Sequence, residues 1–249
     1  MNLEEIRQKA FDDARKGLKK SFAKKDAQII QAISALDEID KDVNVFSERL
    51  REWYSLHFPE MDSAIKDHKK YAEFAFCGNR DDIDDKRMSN LAKKSVGAEL
   101  TDVDYKIMKR YAGQILEIYK LRDEIEKYVD KSMVNLAPNI SELAGPTVGA
   151  RLIKLAGSLE NMARMPASTI QLLGAEKALF RHLKSGSKPP KYGVIFQTKD
   201  IHDSPKERRG RIARSLAAKL ALAARIDYSN PVLNKELIEK YRKRVNHIK

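Results

Sequence analysis

From Phe22 onward an apolar residue recurs at every seventh position, through Ile29, Leu36, Val43 and Leu50, and a second series, Ala32, Ile39, Phe46 and Trp53, keeps the same interval. Two interleaved heptad series share one side of a helix, and a stripe of that length demands another helix against it. A second segment opens at Thr101, whose hydroxyl is placed to cap the first turn while Asp104 reaches back. It repeats the beat through Tyr111, Ile118 and Ile125, with Leu121 and Tyr128. The expected architecture is an antiparallel coiled-coil hairpin with arms of about 30 residues, some ~45 Å long at a rise of about 1.5 Å per residue. One hairpin leaves part of such a seam wet. Ile29, Leu36, Val43, Phe46, Ile118 and Ile125 are therefore expected to dimerise the chain.

Between the arms, residues 57–85 read as a short helix and turn capping the hairpin tip. Asp81, Asp82, Asp84 and Asp85 cluster there, but the glycine and closing glutamate of a calcium loop are absent at the required offsets. A solvated acidic turn is expected, with no metal site. The heptads stop near Asn135-Leu136-Ala137-Pro138, and shorter helices follow, separated by Gly157, Pro166 and the 185–190 loop. The expected domains are 1–137, the coiled coil with its tip insert, and 138–249, a compact helical module. Charged residues at 34% and aromatics at 7%, with few Gly and Pro, also suit an all-α chain of long solvated helices.

The net charge of +12 points to a polyanionic partner, nucleic acid first. Cys77 is the only cysteine, which excludes an intrachain disulfide and CxxC zinc sites. No apolar run is long enough to cross a bilayer and the start lacks a signal-peptide pattern, so a soluble intracellular protein without membrane contact is expected. His57, His68, His182, His202 and His247 are scattered without helical metal-ligand spacing, and no nucleophile elbow, P-loop or dinucleotide fingerprint occurs. No enzymatic activity, catalytic residue or cofactor is expected.

Two segments carry binding chemistry. In the helix expected after Ser204, running to about Asp227, Ile212, Leu216, Leu220 and Ala223 form an apolar face, while Arg211, Arg214, Ala218, Ala221 and Arg225 line another. Arginine alternating with alanine suits a phosphate backbone, because guanidinium forks match phosphate oxygens and small neighbours allow close approach. The other segment is GAEKALFRHL at 174–183, expected on a helix capped by Ser168, with Leu172, Ala175, Leu179 and Leu183 as its buried stripe. Phe180 falls off that stripe, between Lys177 and Lys184, so its ring either widens a core or meets a ligand. The adjoining loop, with Lys184, Lys188 and Lys191 around Pro189-Pro190, adds Tyr192 and Phe196; rings beside cations suit RNA ends or flipped bases. YGVIFQ at 192–197 is the one strand-like stretch.

LREWYSLHFPEM (50–61), GARLIKLAGSLENMARMPASTIQLLGAEKALFRHL (149–183), KYGVIFQ (191–197) and RGRIARSLAAKLALAARID (209–227) resemble the Nop-domain family, nearest to the archaeal core subunits of box C/D guide RNPs. The resemblance covers nearly the whole chain in the family's order. It implies a scaffold: a coiled coil that makes a homodimer, and a Nop domain that grips a kink-turn in box C/D guide RNA jointly with a small ribosomal-type kink-turn-binding protein. In the family an N-terminal domain recruits fibrillarin, which methylates RNA 2′-hydroxyls with S-adenosylmethionine; that domain is expected to be absent from this chain. The family is cytoplasmic in archaea and nucleolar in eukaryotes.

By position, Ala178-Leu179-Phe180-Arg181 matches the family's motif at the end of the guide duplex. Phe180 would stack there on a terminal base while Lys177 and Arg181 hold backbone. Arg164 and Ala167 match positions facing the kink-turn-binding protein and RNA together. Lys191 stands where a spliceosomal relative has a base-stacking histidine, and a lysine implies a phosphate contact instead. Lys188, Gln197, Arg208, Arg209 and Lys219 complete the expected RNA-facing set with Arg211, Arg214 and Arg225. The alternative is the spliceosomal relative's role, binding a kink-turn without methylation; the GAEKALFRHL stretch favours the guide RNP.

Overall fold

The computed structural model describes residues 3–22 and 24–248, and among these all regular structure is helical. The helices are α1 (Leu3–Phe22), α2 (Lys25–Tyr54), α3 (Pro59–Ala64), α4 (His68–Cys77), α5 (Lys86–Ala92), α6 (Asp102–Leu136), α7 (Pro138–Ala144), α8 (Pro146–Ala156), α9 (Leu159–Arg164), α10 (Ala167–Leu172), α11 (Glu176–Ser185), α12 (Lys199–His202), α13 (Lys206–Ser229) and α14 (Lys235–Ile248). Short 3-10 turns occupy Arg80–Asp82 and Val194–Gln197. The strand-like YGVIFQ is thus mostly a 3-10 turn. At its start the Gly193 and Val194 amides donate to the carbonyls of Gln171 and Leu173.

Two compact units form, one from Ala35–Glu126 and one from residues up to Ser34 together with those from Lys127 on. The division falls inside α2 and α6, whereas the expected boundary at 137 marks only the end of α6. In the first unit α2 and α6 run antiparallel: Arg122 Nε lies 2.6 Å from Asp40 Oδ1, the Tyr111 ring packs on Phe46 and Trp53, and Tyr105 reaches His57. Val43 and Leu50 of α2 share a core with Met108, Ala112 and Ile115 of α6. The Thr101–Asp104 capping box starts α6 as expected: the Thr101 amide donates to Asp104 Oδ2 at 3.1 Å, and the Asp104 amide to Thr101 Oγ1 at 3.3 Å.

Two expectations about the seam need correction. Phe22 belongs to α1 and is exposed, so the series starts at Ile29. Ile29, Leu36 and Val43, expected to face a second chain, are buried inside this one. The physical reason is that an antiparallel hairpin uses its first heptad series against its own return helix. Phe46, Ile118 and Ile125 lie at the edge of that contact and stay partly exposed.

At the tip, order comes from polar groups as much as from apolar ones. His57 is buried; its Nδ1 donates to the Ala98 carbonyl at 2.8 Å, and its Nε2 accepts from the Arg80 amide at 3.2 Å. Arg80 Nη1 donates to the carbonyls of His57 (2.7 Å) and Gly97 (2.9 Å), while Nη2 pairs with Glu99. Gly97 is obligatory, since a β-carbon there would stand 1.9 Å from the His57 oxygen. Asp85 accepts from the amides of Arg87 and Met88 and caps α5, so one member of the acidic cluster has a structural task.

Candidate nucleic-acid interface

The second unit is organised around α13, against which α7, α9, α10 and α14 pack. Ile212, Leu216, Leu220 and Ala223 are buried, the inward face expected. Asp227, near the helix end, accepts from the amides of Asn139 and Ile140 at 3.2 and 2.9 Å and fixes the start of α7. Burial pushes its carboxyl above the usual value, against the pull of those donors. On the opposite face Arg211, Arg214, Ala218 and Arg225 are exposed. Ala221, expected among them, is buried, because the face is narrower than the three-and-four spacing suggested.

The arginines differ in how they are held. Arg209 donates through Nε to Ser204 O (2.8 Å) and through Nη2 to His202 O (2.9 Å), and its guanidinium lies over the Phe196 ring at 5.3 Å. It therefore ties α12 to α13 before it can meet a ligand. Arg225 Nε reaches Ala163 O at 3.2 Å, which brings its guanidinium beside the end of α9 and Arg164. Arg164, largely exposed, pairs with Glu160 at 2.6 Å, and Glu160 in turn with Lys24 at 3.0 Å. Arg211 and Arg214 stay outward; Arg208 and Lys219 are half-buried. Lys191 is exposed, and its stem passes 3.7 Å from the position a β-carbon on Gly210 of α13 would take. Ala167, half-buried, opens α10.

GAEKALFRHL does not continue the helix of Ala167–Leu172. Gly174, at φ +84°, breaks the chain into α10 and α11, and its amide donates to Glu176 Oε1 at 2.7 Å. The expected cap at Ser168 and the expected buried stripe are corrected accordingly: α10 begins after Pro166, Leu179 is only half-buried, and Leu183 is 75% exposed. No residue of α11 is fully buried. A cleft of about 290 Å³ lined by Ser168, Leu172, Leu173 and Leu179 lies against it. Phe180 is 66% exposed, which removes it from the core of this chain. Lys177, Ala178, Arg181 and Lys188 are exposed around it.

The other rings behave differently. Tyr192 and Phe196 stack on each other, centroids 5.0 Å apart and 9° between planes, and Phe196 meets His202. They build the 3-10 turn instead of offering free faces. Gly193 lets that turn approach α10, since a β-carbon would stand 1.9 Å from Leu173 O. Gln197, exposed, accepts from Arg151 of α8 at 2.9 Å. Arg151, Lys243 and Arg244 are cations of this unit that the sequence reading did not single out; the run RKR at 242–244 was the available signal for the last two.

Charge separates sharply along the chain. Residues 138–249 hold 22 Lys and Arg against 9 Asp and Glu, whereas residues 1–137 hold 26 against 27. The whole positive excess thus sits on the region that carries α11 and α13. Among the described residues no group of His, Cys, Asp and Glu could hold a metal ion, and no helix is long and apolar enough to cross a membrane.

This arrangement has close counterparts. Residues 35–247 match the Nop family, described as a snoRNA binding domain, fibrillarin. A NOP5 family protein of Methanocaldococcus jannaschii is 45% identical over 265 residues, covering all of this chain and 64% of the relative. Human nucleolar protein 56 is 40% identical over 88% of this chain and 40% of its own length, and nucleolar protein 58 of Schizosaccharomyces pombe 42% over 86% and 45%. The chain therefore spans about two fifths to two thirds of these relatives. A crystal structure of a fibrillarin/Nop5p complex superposes on 99% of this chain and 78% of its own at TM-score 0.60 and 28% identity. With the match extending over both compact units, the chain belongs to the Nop family.

Proposed function

We infer that the chain is a scaffold subunit of a box C/D-type guide RNP and performs no chemistry itself. The single observation that carries this reading is the concentration of unbalanced positive charge on residues 138–249, with Arg211 and Arg214 outward on α13 and Phe180 exposed between Lys177 and Arg181 on α11. The α13 row, with Lys191, holds the phosphates of a kink-turn RNA, which supplies affinity without sequence preference. Arg164 and Ala167 form a joint surface with a small ribosomal-type kink-turn-binding protein. Phe180 stacks on the end of the guide duplex, and Lys177 and Arg181 hold its backbone. The RNA positioned in this way is the substrate that fibrillarin methylates.

The arm joins two copies. Phe46, Tyr111, Ile118, Leu121 and Ile125 remain partly exposed on α2 and α6, an apolar edge that a second hairpin covers. The test of the scaffold reading is a gel-shift titration of kink-turn RNA with and without the kink-turn-binding protein. Tight, salt-sensitive addition to the preformed RNA and protein pair is expected. Equal affinity for a straight duplex of the same length would overturn the kink-turn assignment.

A further inference from the structure

Arg164, which the scaffold reading sets against RNA, already has a partner. Its Nη2 lies 2.6 Å from Glu160 Oε1, one turn earlier on α9. A glutamate four residues before an arginine is the favoured helical order, so this pair forms within α9 alone. Such a pair is a poor phosphate ligand, because its charges cancel and an incoming phosphate has to displace the carboxylate. The second oxygen of Glu160 is held from elsewhere. Its Oε2 lies 3.0 Å from Nζ of Lys24, 136 residues away in sequence. Lys24 stands immediately before α2, and the main chain fixes that junction: Asp26, buried in the first turn of α2, accepts from the Leu159 amide at the start of α9 at 3.0 Å.

We propose that Lys24 is a positioning residue for RNA binding, which neutralises Glu160 and so leaves the charge of Arg164 to phosphate. Glu160 and Arg164 by themselves carry no net charge, whereas the trio with Lys24 carries one positive charge. The Lys24 ammonium, and after it the Arg164 guanidinium, hold the Glu160 carboxyl below its usual value, so Lys24 is the stronger of the two claims on that carboxylate. Arg164 is also the most exposed of the three, its side chain 74% accessible against 48% for Lys24 and 27% for Glu160. An anion reaching the trio therefore meets the Arg164 guanidinium first. Lys24 acts through Glu160 and touches no RNA itself. The inference rests on the placement of Arg164 at the joint surface.

Gel-shift titrations of the full chain onto a preformed complex of kink-turn RNA and kink-turn-binding protein test it. Lys24→Ala should weaken addition about threefold, the size expected for one exposed charge pair. Lys24→Arg should bind as wild type does, and Glu160→Gln introduced together with Lys24→Ala should restore the lost affinity. In a chain that already carries Arg164→Ala, Lys24→Ala should change nothing further. That last comparison separates an action through Arg164 from a mere change of net charge or a direct contact of Lys24 with RNA, either of which would persist without Arg164. Wild-type affinity for Lys24→Ala, no recovery with Glu160→Gln, or an equal loss in the Arg164→Ala background would each overturn the proposal and leave the joint-surface reading standing. If Arg164→Ala alone binds as wild type does, the joint-surface reading fails and the role of Lys24 fails with it.

Discussion

The hairpin tip and the α13 face treat arginine in opposite ways. At the tip, Arg51 and Arg80 point inward: Arg51 donates to Asp62, to Ile65 O and to His68 while lying 4.4 Å over the Tyr71 ring, and Arg80 bonds two main-chain carbonyls and Glu99. On α13, Arg211 and Arg214 point outward with no acidic side chain set against them in the described contacts. The difference matches the charge balance, nearly even before residue 138 and strongly positive after it. The same residue type acts as mortar where carboxylates and carbonyls converge, and as a ligand surface where they do not.

The first way to break this comparison is at Arg80. Replacing it with alanine leaves the carbonyls of His57 and Gly97 without their donor in a closed environment, at a cost of about 3 kcal/mol. Urea unfolding of the chain should show that loss, while RNA affinity under native conditions stays within error of wild type. A parallel drop in RNA affinity would mean that the tip takes part in binding.

Legibility followed the same division. The hairpin could be read because a seven-residue period states which face is apolar, and the capping box at Thr101 announced where α6 begins. Which heptad series would be hidden was not legible, since Ile29, Leu36 and Val43 look equally able to meet a second chain or α6. The tip network was invisible for a different reason: His57, Arg80 and Gly97 are far apart in sequence and obey no period. On the binding side, the α13 faces were clear from spacing, yet nothing local shows that Arg209 is drawn onto Phe196 and the His202 carbonyl. Gly174 was the most misleading position. A glycine inside a helical pattern is tolerated often enough that spacing alone does not announce the break, which the left-handed backbone of Gly174 makes.

Phe180 sharpens the comparison on the ligand side. Because its ring is largely exposed, Phe180→Ala should leave thermal stability unchanged while costing about 1 to 3 kcal/mol in binding an RNA that presents a guide duplex end. A lowered melting temperature with unchanged duplex binding would return Phe180 to a packing role. Arg214→Ala comes next: binding should weaken similarly for all kink-turn sequences, and the dependence of log affinity on log salt should become shallower by about one unit. An unchanged salt slope would place Arg214 away from phosphate.

The smallest effect concerns pH at the start of α6. The Thr101 hydroxyl, and after it the Thr101 amide, hold the Asp104 carboxyl below its usual value. A carboxyl lowered by folding stabilises the native state above its unfolded value, and that contribution disappears as pH falls through the lowered folded value. Asp104→Ala should therefore be slightly less stable than wild type near neutrality, and the gap should close as pH falls below the ordinary carboxylate value and through the lowered folded one. The comparison of the two chains at each pH cancels the other carboxylates that titrate in the same window, including Glu60, Glu160 and Glu236, which are lowered by their own partners. A gap that stays constant down to the acid limit would show that Asp104 acts through helix propensity alone, and that the ionised capping box adds nothing to the arm.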